Sequence, residues 1–164
     1  MVEIQRLPAD RWREYRDLRL ESLKLSPLAF GSAFEEEASS GERKWKKYMK
    51  RVNFAVAGDE PVGMIVCAFS KEVKFRHIAE IYSFYVRPGR RGEGIGTALL
   101  EHALKLARRN RRIIKVRLYV NSQQRAARRM YEKAGFVETG RLEREMKVGR
   151  KLYAMLVMEK RLRG

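Results

Sequence analysis

The segment that most constrains this chain lies between Val86 and Thr97, where one hydrophobic period stops and another starts. Arg76 to Val86 reads as one long strand. From Gly94 to Arg109 the apolar residues Ile95, Leu99, Leu100, Ala103, Leu104 and Ala107 share one broad helical face. The loop between them, Pro88 to Glu93, leads into glycines at 92, 94 and 96. Glycine tolerates positive φ and lets a ligand approach the backbone closely. A helix N-terminus presents unpaired N–H groups and a partial positive charge. The segment therefore predicts a strand–loop–helix unit with an anion site, to which Arg90 and Arg91 add charge. A tight turn before a helix uses the same residues, so the glycine spacing alone does not decide between a ligand site and a turn.

The rest of the chain places this unit in a mixed α/β order. Val2 to Leu7 alternates as an amphipathic strand, and Pro8-Ala9-Asp10 breaks it with Asp10 as an N-cap. Trp12, Tyr15, Leu18, Arg19, Ser22 and Leu23 then follow with helical spacing until Ser26-Pro27 stops the helix. Residues 28–41 read as a loop or short helical turn, and 42–51 as a short helix. Asn53 to Ala57 and Val62 to Phe69 read as strands around the turn Gly58-Asp59-Glu60-Pro61. After the glycine loop and its helix come a strand (113–120), a helix (122–134) closed by Gly135, and strands at 136–146 and 151–161. With no repeats, linkers or low-complexity tracts, the order β-α-α-β-β-β-α-β-α-β-β describes one α/β domain over 1–164.

Charge is the unusual part of the composition. Lysines and arginines number 37 against 20 acids, a formal net charge of +17. Such a field attracts polyanions. Three readings stand: a heavily charged solvated surface, attraction to an anionic small molecule, and a nucleic-acid or ribosome-associated role. The basic residues run along the whole chain, densest at 105–129, without an aromatic-rich RNA motif or zinc-finger spacing. Specific nucleic-acid binding is therefore not expected. The lone cysteine, Cys67, has no internal partner, and no Cys/His cluster suggests a metal. No apolar run nears the roughly 18 residues of a membrane span, and the N-terminus lacks a signal-peptide apolar region. A metal-free cytoplasmic protein is expected.

Two nucleotide loops fail on residues. A P-loop ends in Gly-Lys-Ser/Thr, and Gly96-Thr97 lacks the lysine. A dinucleotide loop needs an acid at the end of the next strand, which here ends Tyr119-Val120-Asn121. The stretch Tyr85-Val86-Arg87-Pro88-Gly89-Arg90-Arg91-Gly92-Glu93-Gly94-Ile95-Gly96-Thr97 instead resembles the acetyl-CoA motif of the GNAT superfamily of N-acetyltransferases, Arg/Gln-x-x-Gly-x-Gly/Ala after a strand ending in Val-x-Pro. A second signature matches downstream: Leu118-Tyr119-Val120-Asn121, then Ala127, then Tyr131-Glu132-Lys133-Ala134-Gly135-Phe136.

The resemblance implies the GNAT fold, a central mixed, mostly antiparallel sheet with a splayed strand pair, flanked by helices. It implies acetyl-CoA as co-substrate and direct attack by an acceptor amine, without an acyl-enzyme. Backbone groups of Phe84, Tyr85 and Val86, at a bulge, would hold the pantetheine arm and acetyl carbonyl. Arg91, Gly92, Glu93, Gly94, Ile95, Gly96 and Thr97 would hold the diphosphate. Asn121 would contact coenzyme A. Where many members carry asparagine, seven residues before the tyrosine, this chain has Gln124, whose amide reaches farther. Tyr131 sits at the family's general-acid position; a tyrosine packed in the core is the competing reading. Glu80 is the candidate base. A carboxylate on an apolar central strand is costly without a task or partner, and the histone-acetyltransferase branch carries a glutamate at the matching offset. A salt-bridged Glu80 is the alternative, and His77 and an exposed His102 are weaker candidates. Arg19, Leu23, Phe30, Phe34, Tyr82 and Tyr153 would shape the acceptor pocket, and Glu35, Glu36 and Glu37 could draw in a cationic amine or simply face solvent. The acceptor is left open among small-molecule amines or polyamines, protein N-termini and lysines, as is a homodimer. The rival is a non-catalytic module on the same scaffold, binding coenzyme A or nucleic acid.

Overall fold

The computed structural model describes residues Met1–Gly164. Its elements are β1 (Val2–Gln5), α1 (Trp12–Leu25), α2 (Phe34–Ala38), α3 (Glu42–Met49), β2 (Val52–Ala57), β3 (Glu60–Phe69), β4 (Ile78–Val86), α4 (Ile95–Arg109), β5 (Lys115–Asn121), α5 (Arg125–Lys133), β6 (Val137–Val148) and β7 (Lys151–Arg161). The strands hydrogen-bond in the order β1-β2-β3-β4-β5-β7-β6. The β1/β2, β2/β3, β5/β7 and β6/β7 pairs are antiparallel, and β4/β5 is parallel. Two compact units divide the chain: residues 1–66 with 83–103, and residues 67–82 with 104–164.

In the first unit, α1 buries Trp12, Tyr15, Leu18, Arg19, Ser22 and Leu23, the face its spacing predicts. Tyr15 packs edge-on against Trp45 of α3 (5.5 Å between centroids) and Phe54 of β2 (5.8 Å). Asp10 is not the N-cap. It lies in a 3₁₀ turn, Ala9–Arg11, closed by the Arg11 N–H on the Pro8 carbonyl (3.0 Å). That turn winds straight into α1, so no side-chain cap is used. The β2–β3 turn is also tighter than expected, because Pro61 belongs to the strand. Pro61 faces Val56 beside a register shift at Ala55/Val56, where a missing N–H costs no regular ladder bond.

Gly63 decides how closely β3, β4 and α4 pack. A Cβ there would lie 3.0 Å from the Tyr85 carbonyl oxygen and 3.1 Å from Leu99 Cδ1. Gly63→Val is expected to lower stability by about 2 kcal/mol or more, measured as a shifted urea midpoint with unchanged slope. A midpoint equal to the parent's would show that the packing relaxes freely.

The second unit holds the β4/β5 ladder, which runs from Ile78↔Lys115 to Ile81↔Leu118. Helix α5 begins at Arg125, later than expected, because Asn121 makes a turn first. Its side-chain oxygen accepts the Gln123 N–H (2.9 Å) and its carbonyl accepts the Gln124 N–H (2.9 Å). The helix ends in a Schellman motif. Phe136 N–H reaches the Tyr131 carbonyl (3.0 Å), Gly135 N–H reaches that of Glu132 (3.0 Å), and Gly135 takes φ +90°.

Candidate active site

The glycine loop of the first unit is built around unsatisfied amides. The last turn bond before it runs from Arg91 N–H to the Pro88 carbonyl (3.3 Å), and the first helical bond of α4 from Ala98 N–H to Gly94 (3.0 Å). The N–H groups of residues 92–97 donate to no turn or helix carbonyl. Gly92 and Gly94 hold φ +83° and +79°, and a Cβ on either would project into open space. Ile95, 4% exposed, anchors the helix start in the core beneath them. Six consecutive free donors at a helix N-terminus fit an anion with several oxygens, as a diphosphate has.

The charged side chains around the loop mostly serve to hold it. Arg91 donates to the Val86 carbonyl (3.0 Å) and to Ser26 Oγ (3.4 Å), and its guanidinium lies 5.8 Å from the Tyr85 ring centroid. Arg90 pairs with Glu93 (2.8 Å). Tyr85 is buried, and its hydroxyl donates to Glu21 Oε1 (2.9 Å). Burial, with Glu21 adding to it, pushes this phenol up to about 12. Arg87 bridges Glu21 (3.1 Å) and Glu60. Tyr85 and Arg91 thus turn their side chains toward α1 and the strand end, leaving backbone as what this stretch offers a ligand. Phe84 and Val86 are half-buried. Within β4, Ser83 takes φ +51°, one residue before the stretch where a bulge is expected.

Arg19, a charge on the apolar face of α1, has a clear reason to be there. It binds both carboxylate oxygens of Glu37 (2.9 and 2.7 Å), donates to Ser83 Oγ (3.2 Å) and lies over the Phe30 ring (4.8 Å). Burial pushes Glu37 up, but the Arg19 guanidinium outweighs it and holds the carboxyl below its usual range. Glu37 is therefore not a solvated acid waiting for an amine. Glu36 accepts the Ala33 N–H (3.2 Å), and Glu35 is exposed. Leu23 and Phe30 are buried, and Phe34 lies under Lys24 (5.2 Å). His102 is half-buried rather than exposed, its Nε2 3.2 Å from Asn53 Oδ1, because β2 offers that amide from the core.

In the second unit Glu80 and Tyr82 are exposed on β4, and Tyr153 is half-buried on β7. Glu80 therefore carries no burial cost, and that part of the argument for a base falls away. Its cross-strand neighbour is Arg117, which is bonded to Glu159 (2.9 Å). Lys115 shares that glutamate (2.8 Å). Asn121 is buried; besides accepting the Gln123 N–H, its amide donates toward Met146 Sδ (3.6 Å). Gln124 is half-buried at the N-cap of α5 and makes no side-chain cap bond. Tyr131 is buried and packs edge-on against Phe136, 5.9 Å between centroids. Burial pushes its phenol well up, so it stays protonated far into the alkaline range.

Residues 11–136 match the sequence profile of the Acetyltransferase (GNAT) family. The chain belongs to the GNAT family. Among its relatives, an uncharacterized N-acetyltransferase of Methanocaldococcus jannaschii is 38% identical over 82 residues, covering 48% of this chain and 35% of that protein. An uncharacterized N-acetyltransferase of Archaeoglobus fulgidus is 30% identical over 141 residues, covering 79% of this chain and 89% of that one. The chain thus spans about a third of the first relative and most of the second. A GNAT-family acetyltransferase from Streptococcus pneumoniae superposes with a TM-score of 0.87 at 20% identity, covering 99% of this chain and all of that one, a likeness of fold. The GNAT signature Tyr131 to Phe136 coincides with the Schellman motif and its Tyr131–Phe136 contact, so this stretch has a structural task whatever else it does.

Proposed function

We propose that this GNAT protein transfers the acetyl group of acetyl-CoA to a primary amine by direct attack in a ternary complex. The observation that carries the reading is the row of six free N–H groups at residues 92–97, opened by two left-handed glycines. Acetyl-CoA supplies an activated thioester carbonyl. The loop amides bind the diphosphate, and backbone at Phe84 and Val86 orients the arm. Glu80 takes the proton of the attacking amine, and Tyr131 supplies the proton that the departing thiolate takes up. The single unpaired cysteine, buried and pushed up to about 11 by that burial, suits work in the reducing cytoplasm.

The test is thiol release from acetyl-CoA across polyamines, lysine peptides and peptides with free N-termini. Turnover on any class supports the proposal. Tight coenzyme A binding with no turnover on any of them would favour a non-catalytic module.

The base assignment has its own test. Glu80→Gln is expected to lower kcat/KM at pH 7 roughly 100-fold, the lower range for general-base help. The deficit should shrink toward pH 10, where the acceptor amine loses its proton unaided. A pH–rate profile parallel to the parent's would assign Glu80 to the surface instead.

A further inference from the structure

Twelve of the 37 basic residues lie in three segments that join at one end of the second unit. Three separate segments meet where β5 begins. Ile114 N–H donates to the His77 carbonyl (2.9 Å), and the Leu162 N–H donates to the Ile114 carbonyl (2.8 Å). Arg163 donates to the carbonyls of Asn110 (3.1 Å) and Ile113 (2.7 Å) and to that of Arg108. Within the three segments, 67–78, 104–115 and 159–164, stand twelve lysines and arginines against two glutamates. One of those, Glu159, is already taken by Lys115 and Arg117.

Arg76, Arg108, Arg109, Arg111, Arg112 and Arg161 are exposed, and none has a carboxylate within ion-pair distance. Arginines without an ion pair also occur in the first unit, among them Arg6, Arg13, Arg43 and Arg51; what sets this end apart is that six fall within segments bonded to one another. The same segments carry exposed apolar side chains: Phe69 is 42% exposed, Phe75 50%, Val73 74% and Ile114 40%. Unpaired arginines repel one another and gain from phosphate, which a guanidinium fork matches in two places. Exposed phenylalanine rings give a base a face to stack on. Arginine predominates here, and no tryptophan or tyrosine stands among these segments, which favours a nucleic-acid strand over a lipid surface.

We propose that this end of the second unit binds single-stranded nucleic acid without sequence preference, its arginines on the phosphates and Phe75 and Phe69 under the bases. The surface lies apart in the chain from the 92–97 loop and does not depend on the acetyltransferase reading.

The test is fluorescence anisotropy of the full chain with labelled 20-nucleotide oligouridylate and oligothymidylate, across a salt series. Binding is expected with both strands. The quadruple variant Arg108→Gln, Arg109→Gln, Arg111→Gln, Arg112→Gln should flatten the log–log salt slope by about 3, as four lost phosphate contacts on a single strand predict. Phe75→Ala should weaken binding roughly ten-fold with the slope unchanged, the low end of one stacked base. A control variant neutralising Arg43, Lys44, Lys47 and Lys50 removes the same charge from the first unit. Equal losses in the two quadruple variants would overturn the proposal, because net charge alone would then explain binding. So would no binding near physiological salt, or binding to anionic phosphatidylserine vesicles in place of the oligonucleotides. The thermal midpoint of each variant, measured alongside, verifies that it is folded.

Discussion

Gly94→Val is expected to weaken acetyl-CoA binding about 100-fold while the chain stays folded. Gly94 sits at φ +79°, a region that costs an ordinary residue about 1–2 kcal/mol and a β-branched one more. A Cβ at this position meets no atom within 4 Å, so the strain arises in the backbone. The backbone escapes that strain by rotating the peptides on either side, and those peptides carry the N–H groups of Gly94 and Ile95. Each hydrogen bond to a charged group contributes about 1.5–3 kcal/mol. Losing or misaiming two of them amounts to about 3 kcal/mol, or two decades in Kd. Gly89, in the same loop, supplies the control. It has an ordinary φ and equally open space, so Gly89→Val should bind within about 3-fold of the parent. Titration calorimetry with acetyl-CoA reads both. A folded Gly94→Val protein with the parent's affinity would remove the diphosphate from this loop.

The reach of the sequence differs between the fold and the site for physical reasons. The helix faces were legible because burial imposes a period, and α1 buries each of the six residues its spacing singles out. The glycine loop was legible for a different reason. A change of period with glycines at the seam admits few backbone paths, and Gly92 and Gly94 take the positive φ that only glycine adopts cheaply. Arg19 could have been read further. A charge on an apolar helix face requires a partner, and the run Glu35-Glu36-Glu37 was the nearest acidic supply. Which of the three would pair depended on how α2 turns, and that is set by packing. Gly63 left no trace in sequence, because its constraint comes from Tyr85 and Leu99. The exposure of Glu80 was hidden for the opposite reason. Its neighbours in sequence are apolar, but its surroundings in the fold are exposed and cationic.

Tyr131 carries the other large expected effect. Its place in the Schellman motif accounts for an aromatic ring there, since the ring packs on Phe136 and closes the helix end. That packing belongs to the ring, whereas the proposed proton transfer belongs to the hydroxyl. Tyr131→Phe therefore separates the two roles. As the proton donor to the leaving thiolate, the hydroxyl should be worth roughly 100-fold or more in kcat, with the KM for acetyl-CoA within about 2-fold of the parent. The pH dependence sharpens the test. The folded-state pKa is raised above the ordinary tyrosine value of 10.0 by burial. The phenol's contribution to stability is then complete below pH 10 and is lost only as pH climbs through the higher folded value. The donor thus stays protonated across any ordinary assay range, and the parent's rate should not fall on its account between pH 7 and 10. The deficit of Tyr131→Phe should accordingly be the same at every pH in that window, unlike the deficit of Glu80→Gln, which should shrink. A Tyr131→Phe enzyme with the parent's kcat would confine this residue to the helix cap and require some other group, or water, to protonate the thiolate.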